Sequence, residues 1–283
     1  MTKLIPKTNR QRFNALRNFI NSSGFILGPS IAGFLFIMGT PYLAVQLNSL
    51  ALCMSAIVIY LLPNLDILNE KPVTSEKMSI KIIKKDWLEI LAYSKSNRHS
   101  AWVYILFCGI TVFMTGLDSL EAAFATNVLS LSESAYGFLV SVAGLGIIAG
   151  SLTNALFASR FKTNVLIDIG AIFTPVGYLT FAFSQSFIAA SAGFFILTFA
   201  LSFANIGFLT FYQNNVPVSI MGRFSSVFGV LEALLIIVFT ALIGVLAEFY
   251  EIRVVYIIGS FSFLALGFLV SVIVLDKSKT VYY

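Results

Sequence analysis

The chain has 283 residues, of which 58% are hydrophobic and only 11% are charged, and its mean hydropathy is +0.90. Soluble domains carry about 25% charged residues, so this composition excludes a soluble globular protein. The net charge of +5 is no sign of nucleic-acid binding, because the basic residues lie between long uncharged stretches. We therefore expect no nucleic-acid partner and take the lipid bilayer as the environment of the chain.

Hydrophobic stretches long enough to cross a bilayer recur along the chain. A spanning helix needs about 20 mostly apolar residues, and no Asp, Glu, Lys or Arg occurs from Asn18 to Leu65 or from Ile169 to Gly222. The pattern predicts an all-α fold, a polytopic transmembrane bundle of about eight helices. The predicted spans are Asn18–Met38, Tyr42–Leu62, Ala101–Asn127, Tyr136–Ala158, Val165–Ser184, Ile188–Phe211, Phe224–Phe249 and Val254–Leu275.

The basic residues predict the orientation of these spans. An even number of spans places both termini on one side, and of the 18 Lys and Arg residues all except Arg253 fall on that side. Cytoplasmic loops carry an excess of Lys and Arg, so we predict a multi-pass protein of the cell membrane with both termini in the cytoplasm. Arg17, at the start of the first span, is interpreted as one of these topology charges.

Small residues form a repeat in the first span. Gly24, Gly28 and Ala32 recur at every fourth position and lie on one helix face, where they allow a second helix to approach closely in lipid. Pro29 lacks a backbone N–H and is expected to bend the helix. Together with Gly33, these residues give the pattern G-x-x-x-G-P-x-x-A-G.

This pattern resembles the G-x-x-x-G-P-x-x-G-G signature on the fifth helix of major facilitator superfamily exporters, the drug:proton antiporter branch, with Ala32 in place of one glycine. The resemblance implies that the chain holds helices five to twelve of the superfamily fold and lacks the first four. It also implies proton-driven efflux of drug-like or macrolide-like compounds, with a structural role for Gly24, Gly28, Pro29 and Gly33.

The resemblance divides the chain into three parts. Residues 1–62 are expected to form the last two helices of the N-terminal half, residues 63–100 a cytoplasmic central loop, and residues 101–283 the six-helix C-terminal half. In the loop, apolar residues such as Trp87 lie opposite lysines such as Lys84 at helical spacing. This spacing predicts an amphipathic helix on the inner membrane surface.

An internal repeat supports two related halves. Residues of the first predicted half recur at a constant offset of 211 positions, and both copies begin in a basic loop that leads into a span. Transporters of this kind contain such repeats. The aligned pairs are Pro6 with Pro217, Arg12 with Arg223, Phe13 with Phe224, Gly33 with Gly244 and Leu35 with Leu246.

Three acidic residues and one amide stand out within the predicted spans, where ionisable groups are functional candidates. Asp118 and Glu121 share a helix face, and two such close carboxyl groups cannot easily both ionise. They are candidates for proton coupling or for binding a cation, unless they simply lie in water at the outer end of the span. Glu232 either faces the central cavity or extends to the inner interface. Asn205 either lines a cavity or hydrogen-bonds between helices.

A second motif follows the fourth predicted span. The segment A-L-F-A-S-R-F-K, Ala155 to Lys162, resembles the superfamily loop motif G-x-L-A-D-R-x-G. Arg160 matches the arginine of the motif, whereas Ser159 replaces its aspartate. This leaves two alternatives for Arg160, the role of the motif or that of a topology charge.

Motifs for catalysis or cofactor binding are missing from the sequence. His99 is the only histidine and lies in a basic loop, Cys53 and Cys108 have neither disulfide nor metal spacing, and no G-x-x-x-x-G-K is present. The glycines of Gly144–Gly150 are interpreted as helix packing. We therefore expect no enzyme activity, no metal and no cofactor.

The sequence thus predicts a facilitator-type transporter, with a small-molecule substrate and protons as its partners. The opposing hypothesis is a non-transporting protein, either a truncated remnant or an interaction partner of another membrane protein. That alternative follows from the expected absence of four helices, which leaves the wall of the cavity incomplete.

Overall fold

The computed structural model describes residues 5–38, 41–61, 79–158 and 160–275, and all regular elements in these ranges are helical. The predicted all-α class is confirmed. A 3-10 turn, Lys7–Asn9, precedes the first helix, and a π-helical turn, Phe124–Val128, follows the fifth. The helices are α1 (Arg10–Met38), α2 (Pro41–Tyr60), α3 (Ile80–Ser96), α4 (Arg98–Asp118), α5 (Glu121–Ala123), α6 (Glu133–Leu156), α7 (Thr163–Ala182), α8 (Phe187–Asn215), α9 (Val218–Phe249) and α10 (Ile252–Leu275).

Six helices within the described ranges, α4 and α6 to α10, are long and apolar enough to cross a membrane. They correspond to the third to eighth predicted spans. α2 contributes a shorter apolar segment, Val45–Tyr60, and α1 contains the whole of the first predicted span. The chain is a polytopic helical membrane protein.

The chain forms two compact units. The smaller unit, Gly24–Lys84, holds the later turns of α1 and all of α2, and the larger holds Met1–Ser23 together with Lys85–Tyr283. The first turns of α1 therefore belong to the same unit as α4 to α10. The division of the sequence at residues 62 and 100 stays a prediction.

The third predicted span, Ala101–Asn127, is interrupted. α4 ends at Asp118. Ser119 Oγ donates to the Gly116 carbonyl oxygen at 2.6 Å, and the Leu120 backbone N–H donates to the Leu117 carbonyl oxygen, three residues earlier, at 3.0 Å. Such bonds satisfy the last carbonyl groups of a helix and end it. The prediction that Asp118 and Glu121 share one uninterrupted helix face is therefore wrong, because Glu121 begins a separate short helix.

Glycines bring the backbones of the central helices into contact. α8 packs against both α6 and α7. A Cβ added to Gly177 of α7 would lie 2.4 Å from the backbone N of Leu197, and one added to Gly150 of α6 would lie 2.6 Å from the Phe199 carbonyl oxygen. Helices in lipid associate through such close contact, since lipid supplies no hydrophobic drive. The assignment of Gly144–Gly150 to helix packing agrees with this geometry.

The two copies of the internal repeat begin their helices in the same way. Pro217 is the N-cap of α9, with φ −58° and ψ 136°. Pro6, its counterpart, precedes the turn that leads into α1 and has φ −54° and ψ 145°. The proline ring fixes φ near this value wherever it occurs, so the internal repeat stays a prediction.

The helix predicted in the central loop is α3, and one of its faces packs against the end of α8 and the start of α9. Arg223, near the start of α9, forms ion pairs with Asp86 and Glu89 of α3. Tyr93 donates a hydrogen bond to the Asn215 carbonyl oxygen at 2.9 Å. Burial raises the pKa of Tyr93 above its ordinary value, so its hydroxyl keeps the proton that it donates.

The opposite face of α3 is exposed. Trp87, Leu88 and Leu91 are 40%, 57% and 50% exposed, whereas Ile90 is buried. Lys95 lies exposed beside them. The predicted apolar face is thus divided, because Ile90 turns toward the protein and its apolar neighbours turn away from it.

Arg10 joins the first turn of α1 to the last turn of α8. This buried guanidinium donates from Nη1 to the Gln213 carbonyl oxygen at 2.6 Å and to Asn214 Oδ1 at 2.7 Å. The last carbonyl groups of a helix lack partners within the helix and carry partial negative charge. A buried cation at this position therefore stabilises the end of α8.

We expect Gly177→Ala to destabilise the protein by about 1–3 kcal/mol, the usual effect of overpacking, because the new methyl group meets the backbone of Leu197. Gly137→Ala in α6 is the matched control, since a Cβ there meets no described atom within 4 Å. The measurement is the temperature at which detergent-solubilised protein leaves its monodisperse size-exclusion peak. Equal temperatures for the two variants would contradict backbone contact at Gly177.

We expect Arg10→Gln to lower the same temperature, because the Gln213 carbonyl oxygen and Asn214 lose a charged donor, a loss of about 1.5–3 kcal/mol. Arg12→Gln, which removes an equal charge from an exposed position two residues away, should leave the temperature unchanged. A fall of the same size in both variants would assign the effect to net charge instead of to the end of α8.

Candidate functional site

Two carboxyl groups lie at one end of the larger unit, each bound to a tyrosine. Tyr178 Oη of α7 donates to Asp118 Oδ1 at 2.5 Å, and Tyr136 Oη of α6 donates to Glu121 Oε1 at 2.8 Å. The structure thus brings the two predicted acids to one place, although the helix breaks between them. We call the four residues the carboxyl–tyrosine cluster.

Apolar and aromatic side chains close the inner side of this cluster. Tyr178 and Tyr256 are almost fully buried, with ring centroids 6.1 Å apart. Phe124, the first residue of the π-helical turn, packs on Tyr256 at 5.1 Å. π-Helical turns often mark functional sites, and here the turn begins three residues after Glu121.

Arg253 is the base that the sequence predicts on this side. Its guanidinium lies 5.3 Å from the centre of the Phe124 ring. It donates to the carbonyl oxygens of Ala182 and Ser184, at the end of α7, at 3.2 Å and 3.0 Å. Among the described residues, no ion pair joins it to Asp118 or Glu121. The carboxyl groups therefore keep hydroxyl donors, not a base, as their partners.

Glu232 contacts α4, and the choice between the central cavity and the inner interface stays a prediction. It is half-buried in α9 and lies within hydrogen-bonding reach of the Cys108 thiol in α4. Tyr104, one turn earlier in α4, packs on Phe228 of α9 with ring centroids 5.1 Å apart. Glu232 is thus a polar contact between α4 and α9.

Polar side chains of α1 form a ladder at the other end of the larger unit. Asn14 Nδ2 donates to Thr210 Oγ1 at 2.9 Å and to Gln213 Oε1 at 3.0 Å, both in α8. Asn18 Nδ2 donates to Ser151 Oγ of α6 at 2.7 Å. Interhelical amide and hydroxyl bonds of this kind hold helices together in a membrane.

A polar cavity of about 250 Å³ lies beside this ladder, between α1 and α8. Asn205, a predicted candidate, lines it, and so does Arg17, which the sequence analysis interpreted as a topology charge. The asparagines of α1 were not predicted as site residues, although their spacing of four and three residues indicates one helix face. The full lining is Asn14, Arg17, Asn18, Asn21, Asn205, Ile206 and Leu209.

A second cavity, of about 470 Å³, is almost entirely apolar. Helices α4, α9 and α10 line it, with Phe113, Phe239 and Ile258 among its walls and Ser262 as one of few polar groups. A cavity of this size and composition suits the apolar part of a small molecule or a lipid chain.

The remaining predicted motif residues are Arg160 and those of the glycine motif in α1. Arg160 lies in the turn before α7, exposed, with its guanidinium 5.6 Å from the centre of the Phe157 ring; Ser159 is outside the described residues. A Cβ at Gly24 meets no described atom within 4 Å. Gly28, Pro29 and Gly33 belong to helical backbone whose side chains are outside the described part, so the packing role of the motif stays a prediction.

Metal chemistry has no support among the residues that the structure describes. Within those ranges, no group of three or more His, Cys, Asp and Glu side chains is placed to hold an ion.

Comparisons with known proteins agree with this architecture. The Major Facilitator Superfamily profile matches residues 1–240. The chain is also 24% identical over 272 residues to YfiS, an uncharacterized MFS-type transporter of Bacillus subtilis strain 168, across 91% of this chain and 62% of that protein. The chain therefore spans less than two thirds of the length of this relative. With more than half of its length matched by the profile, the chain belongs to the Major Facilitator Superfamily.

Proposed function

We propose that the chain acts in proton-coupled efflux of small amphipathic compounds, of drug-like or macrolide-like kind. The carboxyl–tyrosine cluster carries this proposal, because it joins the exposed Asp118 and the half-buried Glu121 to tyrosines of two other helices in a member of the Major Facilitator Superfamily. Intramembrane carboxyl groups are the usual proton relays of transporters.

The cluster can couple a proton to helix movement through its hydrogen bonds. The bond between Tyr178 and Asp118 joins α7 to α4, and the bond between Tyr136 and Glu121 joins α6 to α5. A hydroxyl bond to a carboxylate is stronger than one to a neutral acid. Proton uptake therefore weakens both links between helices, and proton release strengthens them again.

The lining of the cavities supports an amphipathic substrate. The apolar cavity among α4, α9 and α10 accommodates hydrocarbon, whereas the cavity beside α1 offers amides and a guanidinium. Asn205 is proposed as a substrate contact, and Glu232 as a charge that orients α9 against α4 during movement. We propose for Gly24, Gly28, Pro29, Gly33 and Arg160 the structural roles that the superfamily motifs imply.

The distribution of charge supports a cell-membrane protein with both termini in the cytoplasm. Arg10 and Arg223 lie at the end of the bundle where α8 finishes and α9 begins, whereas Arg253 lies at the opposite end beside the finish of α7. An excess of Arg and Lys on one side is the usual signal for the cytoplasm.

A non-transporting interaction protein is the second candidate. α9 exposes a row of large apolar side chains, including Leu234, Ile237 and Val238, and its buried residues are Phe224, Phe228 and Ile243. A helix with so little of its length covered favours either lipid or another membrane helix as its neighbour. In this alternative the chain binds a partner and exports nothing.

We expect cells that express the chain to accumulate less Nile red, an uncharged amphipathic dye, than empty-vector cells, and a protonophore to abolish the difference. The double variant Asp118→Asn with Glu121→Gln should accumulate as much dye as empty-vector cells, because neither amide takes up a proton. Glu251→Gln, an exposed acid at the same end, is the matched control and should export normally. Intracellular dye fluorescence is the measurement.

Two outcomes would count against the proposal in different ways. If the wild-type chain accumulates as much dye as empty-vector cells, then autonomous export fails and the interaction protein is favoured. If the double amide variant exports with the pH dependence of the wild type, then export stands and the coupling role of the cluster fails.

A further inference from the structure

The polar cavity beside α1 contains a cation that no carboxylate of the described residues neutralises. Arg17 lines the cavity, no Asp or Glu is among its lining residues, and no ion pair involves Arg17 within the described part of the chain. Arg17 lies seven residues after the start of α1, which corresponds to about 10 Å along the helix. Its charge is therefore set well inside the helix and away from its first turn.

Arg10 does not share this situation. Its guanidinium is buried and donates to the end of α8, so it serves the fold. Arg17 is exposed and lines the cavity. The five N–H donors of its planar guanidinium are therefore available to a ligand in the cavity. The two arginines of one helix thus have different partners.

The rest of the wall matches an anion with an apolar body. Asn21 and Asn205 add amide donors from α1 and α8, while Ile206 and Leu209 give an apolar surface beside them. A volume of about 250 Å³ corresponds to about eight water molecules and so to a compact ring or a short chain. A cationic ligand would meet Arg17 without compensation, and like charges at short range oppose binding.

We propose that this cavity binds the carboxylate of a small organic acid with an apolar body, and that Arg17 is the residue that binds the anion. Guanidinium and carboxylate form two parallel hydrogen bonds, which fix the orientation of the acid. Ile206 and Leu209 contact its ring or chain. This inference deepens the proposed efflux function by naming a ligand class, but binding is measurable whether or not the chain transports anything.

The test uses three ligands of one shape and different charge. Full-length protein in phosphatidylcholine nanodiscs is titrated with benzoate, benzamide and benzamidine, and binding is followed by saturation-transfer difference NMR against empty nanodiscs. We expect benzoate to bind at least about tenfold more tightly than neutral benzamide, the effect of charged hydrogen bonds. Benzamidine should give no signal above empty nanodiscs. Equal binding of benzoate and benzamide would overturn the proposal.

Variants assign the effect to one residue. Arg17→Gln should weaken benzoate binding at least about tenfold and leave benzamide unchanged, whereas Arg17→Lys should weaken benzoate less, since it keeps the charge and loses the fork. Arg12→Gln, on the same helix but not lining the cavity, is the matched control and should bind like the wild type. Unchanged benzoate binding in Arg17→Gln would overturn the assignment. Should Arg17→Gln fail to fold, the comparison of benzoate with benzamide on the wild type still decides whether the cavity prefers an anion.

A lipid headgroup is the other source of an anion at this position. Replacing phosphatidylcholine by phosphatidylglycerol should lower benzoate binding by the same factor in the wild type and in Arg12→Gln, because the anionic membrane surface repels benzoate equally in both. If phosphatidylglycerol abolishes benzoate binding in the wild type and excess benzoate does not restore it, then the lipid headgroup is the occupant and the proposal of a free acid is overturned. This outcome is independent of dye export, so it does not bear on the proposed coupling role of Asp118 and Glu121.

Discussion

Contact between helix backbones is the constraint on which the rest of this structure depends. The interior of a bilayer is apolar, so no hydrophobic effect drives helices together there, and they associate through close packing and interhelical hydrogen bonds. α8 meets α6 and α7 at Gly150 and Gly177, where a single added methyl group has no room. The polar residues of α8 face α1 only because this packing fixes the rotation of α8. Both candidate sites therefore depend on these glycines, which directly precede Ser151 and Tyr178 in the chain.

The two sites divide the chemistry of the larger unit between its ends. Acids and tyrosines lie where α4 and α7 finish, and amides with a guanidinium lie where α1 begins and α8 finishes. The helix break after Asp118 matters for this division, since it gives the two carboxyl groups separate supports. Each acid is bonded to a different helix, so a change in either bond moves a different pair of helices.

The sequence alone predicted the class, the spans and the acids, because composition and charge-free length depend on residues close together in the chain. The partners of those residues come from distant positions and leave no local trace. Tyr178 lies 60 residues after Asp118, and Thr210 lies 196 residues after Asn14. The end of α4 was missed for another reason. Hydropathy continues across Ser119, while one hydroxyl bond to the Gly116 carbonyl oxygen decides where the helix stops.

The place of the two tryptophans gives this protein a built-in reporter of its position in a bilayer. Trp87 in α3 and Trp102 in α4 are the two tryptophans in the sequence, and they are 40% and 53% exposed. Asn97 is the one residue between these two helices, so both indoles lie at the end of the bundle where α1 begins. Tryptophan prefers the membrane–water interface. Intrinsic tryptophan fluorescence therefore comes from one leaflet alone. A quencher placed in one leaflet at a time reports the orientation of the inserted chain without any added label.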